Sequence, residues 1–250
     1  MGGFIEGLLS GEAVMRLSLR SVLSVLLNEG GGRRFSKIAK LMAVQTTVFA
    51  IIFSTAAHAE DPANAAVPKQ ELQAKLDYCK TCHGPSGQGF RGFNPIPRLA
   101  GQPVQYLINQ LKAFAEHGRN SNIMYNVSHV MSPAMLEALA KSFAELNPKP
   151  LGGAPRELAA EGKKIFEDGL PNANVPPCAS CHGEQGKGEG EFPRLAGQLH
   201  DYIFGKLTNW SHERGQNPAK PDASAIMEPI AHGLTEAQIK AVAAYVSYLE

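Results

Sequence analysis

Apolar residues in this chain recur at helical spacings. Val104, Leu107, Ile108, Leu111, Phe114 and Ala115 lie three and four apart and form one stripe of a helix. About a hundred residues on, Ile203, Phe204, Leu207 and Trp210 draw the same stripe. Each half then closes on a further helix. The first has Ser132 as N-cap and Pro133 at the first helical position; the second opens on a Thr235–Gln238 capping box ahead of Ile239, Val242, Tyr245, Val246 and Leu249. No segment alternates with period two. The pattern predicts an all-α fold with three main helices in each half.

The N-terminal quarter reads differently. Residues 41–57 are an apolar run broken by Gln45, Thr46, Thr47, Ser54 and Thr55, preceded by Arg33, Arg34, Lys37 and Lys40, and closed by Ala57-His58-Ala59. Basic flank, apolar stretch and small-residue site together read as an export signal cleaved after Ala59. The run falls short of the roughly 20 residues that cross a bilayer, although an uncleaved anchor is the competing reading. Residues 1–32, with a second apolar stretch at 17–27, lie upstream of a complete signal and point to a start codon placed too early. A Pro- and Gly-rich cluster at 147–155 then divides the remainder. The expected organisation is an extension and signal over 1–59, a first domain over 60–150 and a second over 151–250.

Charge shifts with that cut. The whole chain carries 24 basic and 23 acidic residues, net +1, which provides no field for nucleic acid. The leader holds six basic and three acidic residues, so 18 against 20 remain, net −2. That balance is uneven: 60–150 has nine basic and seven acidic residues (+2), and 151–250 has nine and thirteen (−4).

The two halves repeat each other. Cys79-Lys80-Thr81-Cys82-His83-Gly84 returns as Cys178-Ala179-Ser180-Cys181-His182-Gly183, offset by 99. Pro97-Arg98-Leu99-Ala100-Gly101-Gln102 returns as Pro193-Arg194-Leu195-Ala196-Gly197-Gln198, offset by 96, with Tyr106 and Tyr202 following at the same offset. Self-similarity at this period marks tandem domains.

Candidate chemistry sits in the two C-x-x-C-H motifs, which use every cysteine in the chain. Two thiols three residues apart can add to the two vinyl groups of one haem, and the next histidine is then held against the iron; this is the c-type attachment signature. A zinc ribbon sets its C-x-x-C pairs about 15 to 20 residues apart, whereas Cys82 and Cys178 are 96 apart in number. A thioredoxin-like site needs a βαβ setting, and structural disulfides are the remaining alternative. Cys79, Cys82, Cys178 and Cys181 are therefore expected to bind two covalent haem c groups, with His83 and His182 on the irons.

The second axial ligand separates a carrier from an enzyme. Met124 lies eight residues before Ser132, and Met227 eight residues before Thr235. The matched positions assign both as ligands, a pairing that raises the reduction potential. Met131 aligns with Leu234 and Met135 falls inside the last helix of its half, so core packing suits both better.

These motifs resemble the two-haem class I cytochromes c of the cytochrome c4 type. The resemblance covers 68–250 and rests on the paired C-x-x-C-H-G, the P-R-L-A-G-Q blocks, the aromatic helix after each, and the methionine ahead of each terminal helix. It implies two tandem class I domains related by pseudo-twofold symmetry, with haems close enough to exchange electrons. It also implies a periplasmic shuttle between a quinol-oxidising complex or other donor and a terminal oxidase, with no small-molecule substrate. Membrane association would be weak and through those partners. By the same resemblance, the carbonyls of Pro97 and Pro193 accept the ring N–H of His83 and His182, and Arg98 and Arg194 meet haem propionates, with a solvated surface arginine as the alternative.

First and last helices of such domains cross at a small residue. The second half offers Gly162 and Phe166 facing Tyr245; the first offers Ala74 and Tyr78 with Phe143 opposite, a slightly wider crossing. Two insertions in the second half, at 167–177 and within 213–224, read as surface loops, and His117, His129, His200, His212 and His232 as surface residues. The competing functions are a haem-bearing subunit of a dehydrogenase or oxidase complex, with the same ligands, and a di-haem peroxidase, which needs a vacant iron site.

Overall fold

The computed structural model describes residues 66–214 and 223–250. The expected export signal and most of the expected 213–224 insertion lie outside them. Among the described residues the regular structure is helical, with three isolated antiparallel bridges and no strand.

The first half runs α1 (Lys69–His83), α2 (Val104–Ala115), α3 (Asn122–Ser128) and α4 (Pro133–Ala144). In the second half follow α5 (Ala159–Asp168), α6 (Ala179–His182), α7 (His200–Thr208), α8 (Trp210–Glu213), α9 (Ser224–His232) and α10 (Glu236–Val246), with 3-10 turns at Arg156–Leu158 and Pro171–Ala173. Three main helices per half is thus too few. The additions are short: α3 and α9, with seven and nine residues, are the segments that carry Met124 and Met227. A proline inside α9, Pro229, and the shortness of α3 hid them from a periodicity reading.

Where the halves differ, local chemistry accounts for it. α1 continues unbroken into His83, whereas the 167–177 insertion splits its counterpart. Gly169 (φ 70°) ends α5, Asn174 (φ 55°) turns the chain back, and Leu170 N–H reaches Val175 O at 2.7 Å. Pro176 and Pro177 lack the N–H a continuing helix needs, so the motif restarts as the single turn α6.

Caps fix the terminal helices. Ser132 Oγ accepts from Met135 N–H, and Thr235 and Gln238 form the full capping box. Thr235→Ala removes one partner of that box and is expected to lower the stability of the second half by about 1 kcal/mol, read as a lower denaturation midpoint.

The second-half core is built from Ile165, Phe166, Ala241, Val242 and Val246. At Gly162, α5 and α10 meet backbone to backbone: a Cβ there would stand 2.0 Å from Ala241 O and 2.8 Å from Tyr245 Cβ. Phe166, fully buried, tilts against Tyr245 with centroids 5.4 Å apart. The first half departs from its expected crossing. Ala74 and Tyr78 are exposed, and Leu76 and Cys79 instead face the cluster of Leu107, Ala140 and Phe143. The inward face of α1 is therefore the Leu72–Leu76–Cys79 stripe, which brings a haem-binding thiol to the core.

Candidate functional site

Each C-x-x-C-H motif ends on a buried histidine, His83 and His182, at the C-terminus of its helix. His83 Nδ1 lies 2.9 Å from Pro97 O, and His182 Nδ1 2.8 Å from Pro193 O. A carbonyl only accepts, so Nδ1 carries the proton and Nε2 keeps its lone pair for a metal. Burial reinforces this by pushing both imidazoles below their usual range, against the smaller raising effect of those carbonyls. The proline carbonyls are held by the loop that follows each motif: Gly89 N–H bonds His83 O and Gly188 N–H bonds His182 O, each at 2.8 Å. Gly87 O then accepts from Leu99 and Ala100, as Gly186 O does from Leu195 and Ala196.

None of the four cysteines is paired in a disulfide. Cys79 and Cys178 are half-buried against their cores; Cys82 and Cys181 are exposed. Burial raises the Cys79 thiol and pushes Cys178 up to about 11. The inner thiol of each pair is therefore held neutral beside the apolar core. A soft, uncharged sulfur at the core edge, a second at the surface and a buried imidazole directly after it in the chain fit a planar apolar macrocycle joined by two thioethers.

The methionines sit on the short helices. Met124 is half-buried in α3, its N–H donating to the Ser121 cap and its carbonyl accepting Ser128 Oγ at 2.7 Å. Met227 is half-buried in α9. Met131 is half-buried just beyond α3, and Met135 is 3% exposed in the α4 core.

Arg98 and Arg194 are not solvated. They are 1% and 5% exposed, and each donates Nε to the carbonyl two residues on, Ala100 O and Ala196 O, at 2.9 Å. Arg98 also donates to Pro148 O (2.8 Å) and Asn147 Oδ1 (3.1 Å), while Arg194 Nη2 is buried with no partner. Burial and the neighbouring Arg194 charge bring Arg98 down to about 10. Four arginines but no carboxylate are among the buried residues described.

The same block makes a joint between the domains that sequence reasoning missed. Gln102 accepts from Arg194 N–H at 2.9 Å and donates to Arg194 O at 2.8 Å. Gln198 returns the pair, accepting from Arg98 N–H at 2.8 Å and donating to Arg98 O at 3.0 Å. Recurrence of glutamine at the end of both blocks was the available signal. Gln198→Ala strands a buried N–H and C=O and is expected to destabilise the joint by about 2 kcal/mol, measured as an earlier loss of domain coupling in urea.

His117 and His129 are exposed and sandwich Tyr125, with centroids 4.3 and 4.7 Å away; His212 and His232 are also exposed. His200 is the exception. It is half-buried at the start of α7, its Nδ1 2.7 Å from Asp201 Oδ1 and its Nε2 enclosed.

The cytochrome c family model matches residues 70–148 and again 159–250. The chain belongs to the cytochrome c family. Cytochrome c-552 of Acidithiobacillus ferridurans is 38% identical over 207 residues, 80% of this chain and 86% of that protein. A thiosulfate dehydrogenase electron acceptor of Thiomonas intermedia is 33% identical over 221 residues, covering 86% and 93%. Among solved structures, Acidithiobacillus ferrooxidans cytochrome c4 is 38% identical, covers 69% of this chain and 99% of its own, and superposes with a TM-score of 0.58. This cytochrome c is thus two tandem cytochrome c domains of the cytochrome c4 kind, and its two C-x-x-C-H motifs carry two covalent haem c groups. It is a di-haem electron-transfer protein. No helix among the described residues is long and apolar enough to cross a membrane.

Proposed function

We propose that this cytochrome is an exported, diffusing relay, not an enzyme, that takes electrons from a respiratory donor and passes them towards a terminal oxidase in the periplasm. The observation that carries the reading is the matched pair of sites: a buried histidine with Nε2 free in each domain, and a methionine on the short helix ahead of each terminal helix. His83 and Met124 hold one iron, His182 and Met227 the other. Bound haem supplies a reversible one-electron couple. The chain's own residues hold the geometry: the Pro97 and Pro193 carbonyls orient the imidazoles, and the unpartnered Nη2 of Arg194 suits a propionate oxygen. With a histidine and a methionine both holding it, neither iron would offer an open position to a substrate. The domains are taken as 60–150 and 151–250, freed by cleavage after Ala59.

Charge fits a shuttle. A +2 domain beside a −4 domain presents unlike ends to donor and acceptor, so association with each should weaken with salt. Similarity to a thiosulfate dehydrogenase electron acceptor favours one further reading, an electron-accepting subunit of a dehydrogenase complex, distinguished by copurification with a larger assembly. A redox titration of the exported protein with haem quantification tests the main reading. Two haems per chain, both low-spin in the oxidised and half-reduced states, are expected; one haem, or a high-spin centre, would overturn it.

A further inference from the structure

Beyond the glutamine joint, a second set of side chains crosses between the domains with the same pseudo-symmetry. Arg119 lies over its own domain's Phe114 ring, 4.6 Å from the centroid, and donates Nη2 to Tyr202 Oη of the other domain at 2.7 Å. Arg214 lies over Trp210 at 5.2 Å and is hydrogen-bonded to Tyr106 of the first domain. Tyr106 and Tyr202, like Phe114 and Trp210, are 96 apart, and the two arginines 95. Gln110 Oε1 accepts from both arginines, at 2.8 Å from Arg119 Nη1. Lys206 stands at the matching place in the second domain and pairs with Glu213 instead. Two backbone bonds accompany the set, Tyr106 N–H to Gly190 O and Asn120 N–H to Glu213 O, both 3.0 Å.

Both arginines are 7% exposed. Two like charges taken out of water are expensive, and the oxygens that compensate each of them come partly from the opposite domain. Such a network contributes little net stability, and although Arg214 Nε stays unpaired, its cross-domain bonds form in one relative orientation only. That matters here because a polar boundary between domains ordinarily leaves them free to move. Burial alone would raise the Tyr106 phenol, yet the Arg214 and Arg119 charges and hydrogen bonds outweigh it and hold the phenol below its usual range.

We propose that Tyr106, Tyr202, Arg119 and Arg214 are positioning residues for electron exchange between the two haems, locking the domains in a single orientation so that exchange needs no rearrangement. The inference rests on the two-haem relay reading, but its structural half is read from amides and is independent of the haem count and ligands.

The test uses holoprotein carrying Tyr106→Phe and Tyr202→Phe, which keep the ring and delete the oxygen. Hydrogen exchange is followed at amides bonded only across the boundary, Tyr106, Asn120, Arg98 and Arg194, and at amides bonded within one domain, Gly188 and Ala196. Each charge-assisted bond lost is worth roughly tenfold, so cross-domain amides should exchange about a hundredfold faster. The within-domain amides and the haem spectra should stay as in wild type. Inter-haem electron exchange after a one-electron pulse should slow by at least about tenfold, because reacting groups displaced by even an ångström lose rate steeply. Gln110→Leu, which removes the acceptor shared by both arginines, should reproduce the pattern.

Unchanged protection at the cross-domain amides would overturn the lock. Lost protection with an unchanged inter-haem rate would overturn the positioning role. Equal acceleration at Gly188 and Ala196 would mean general destabilisation and would also sink the proposal.

Discussion

Gly162→Ala is expected to destabilise the second domain by about 3 kcal/mol, despite replacing a poor helix former with the best one. Inside α5 the exchange should gain about 1 kcal/mol from propensity. Packing decides the sign. The new Cβ would lie 2.0 Å from Ala241 O and 2.6 Å from Ala241 C, both backbone atoms of the buried α10, so the two helices must separate. Separation also opens the Phe166–Tyr245 contact and the Ile165–Val242–Val246 core behind it. Gly205→Ala is the internal control: it too is a helical glycine, in α7, but nothing lies within 4 Å of its added Cβ. That variant should gain about 0.5–1 kcal/mol. Denaturant midpoints of the two holoproteins, moving in opposite directions, check the prediction; a stabilised Gly162→Ala protein would refute the backbone contact.

Met227→Ala is expected to abolish the weak near-infrared band of methionine-to-ferric-iron ligation at one haem, leaving roughly half the wild-type intensity, and to lower the reduction potential of that centre. Met124→Ala should do the same at the other haem, and the double variant should lose the band entirely. Met135→Ala, by contrast, removes a core side chain from α4, 3% exposed, and should cost about 2–5 kcal/mol of stability with the band intact. The comparison separates ligand from packing residue. Full band intensity in the double variant would remove both methionines from the irons.

The buried arginines give the boundary between the domains its character. Arg98 and Arg194 are held by backbone carbonyls and by each other's glutamine, Arg119 and Arg214 by tyrosine and Gln110. Nothing in local composition marks these as buried, since arginine is ordinarily a surface residue. Their burial follows from the repeat: a surface that each domain presents polar becomes, when two pseudo-equivalent copies face each other, a set of reciprocal donors and acceptors. Arg119 and Arg214, 95 apart in sequence beside tyrosines 96 apart, carried a faint signal of this. It gains meaning only once the domains are seen in contact.

What the sequence alone determined is whatever depends on neighbours in the chain. Helical period, the Ser132 and Thr235 caps, the covalent spacing of Cys79–Cys82–His83 and Cys178–Cys181–His182, and the duplication are all local or repeated, so they are legible in the chain itself. Short helices were not: α3 and α9 draw their stability from packing rather than propensity, and too few residues carry their pattern. Nor was the α1 register, where Leu76 and Cys79 rather than Ala74 and Tyr78 face the core: the crossing expected by resemblance placed a small residue there, whereas packing follows the Leu72, Leu76, Cys79 spacing. Only the tertiary structure decided which of the arginines leave water, since burial of a charge depends on partners brought from a hundred residues away. For a protein that moves electrons between two centres, the chain encodes the centres in short motifs and leaves their relative placement to contacts that no local pattern contains.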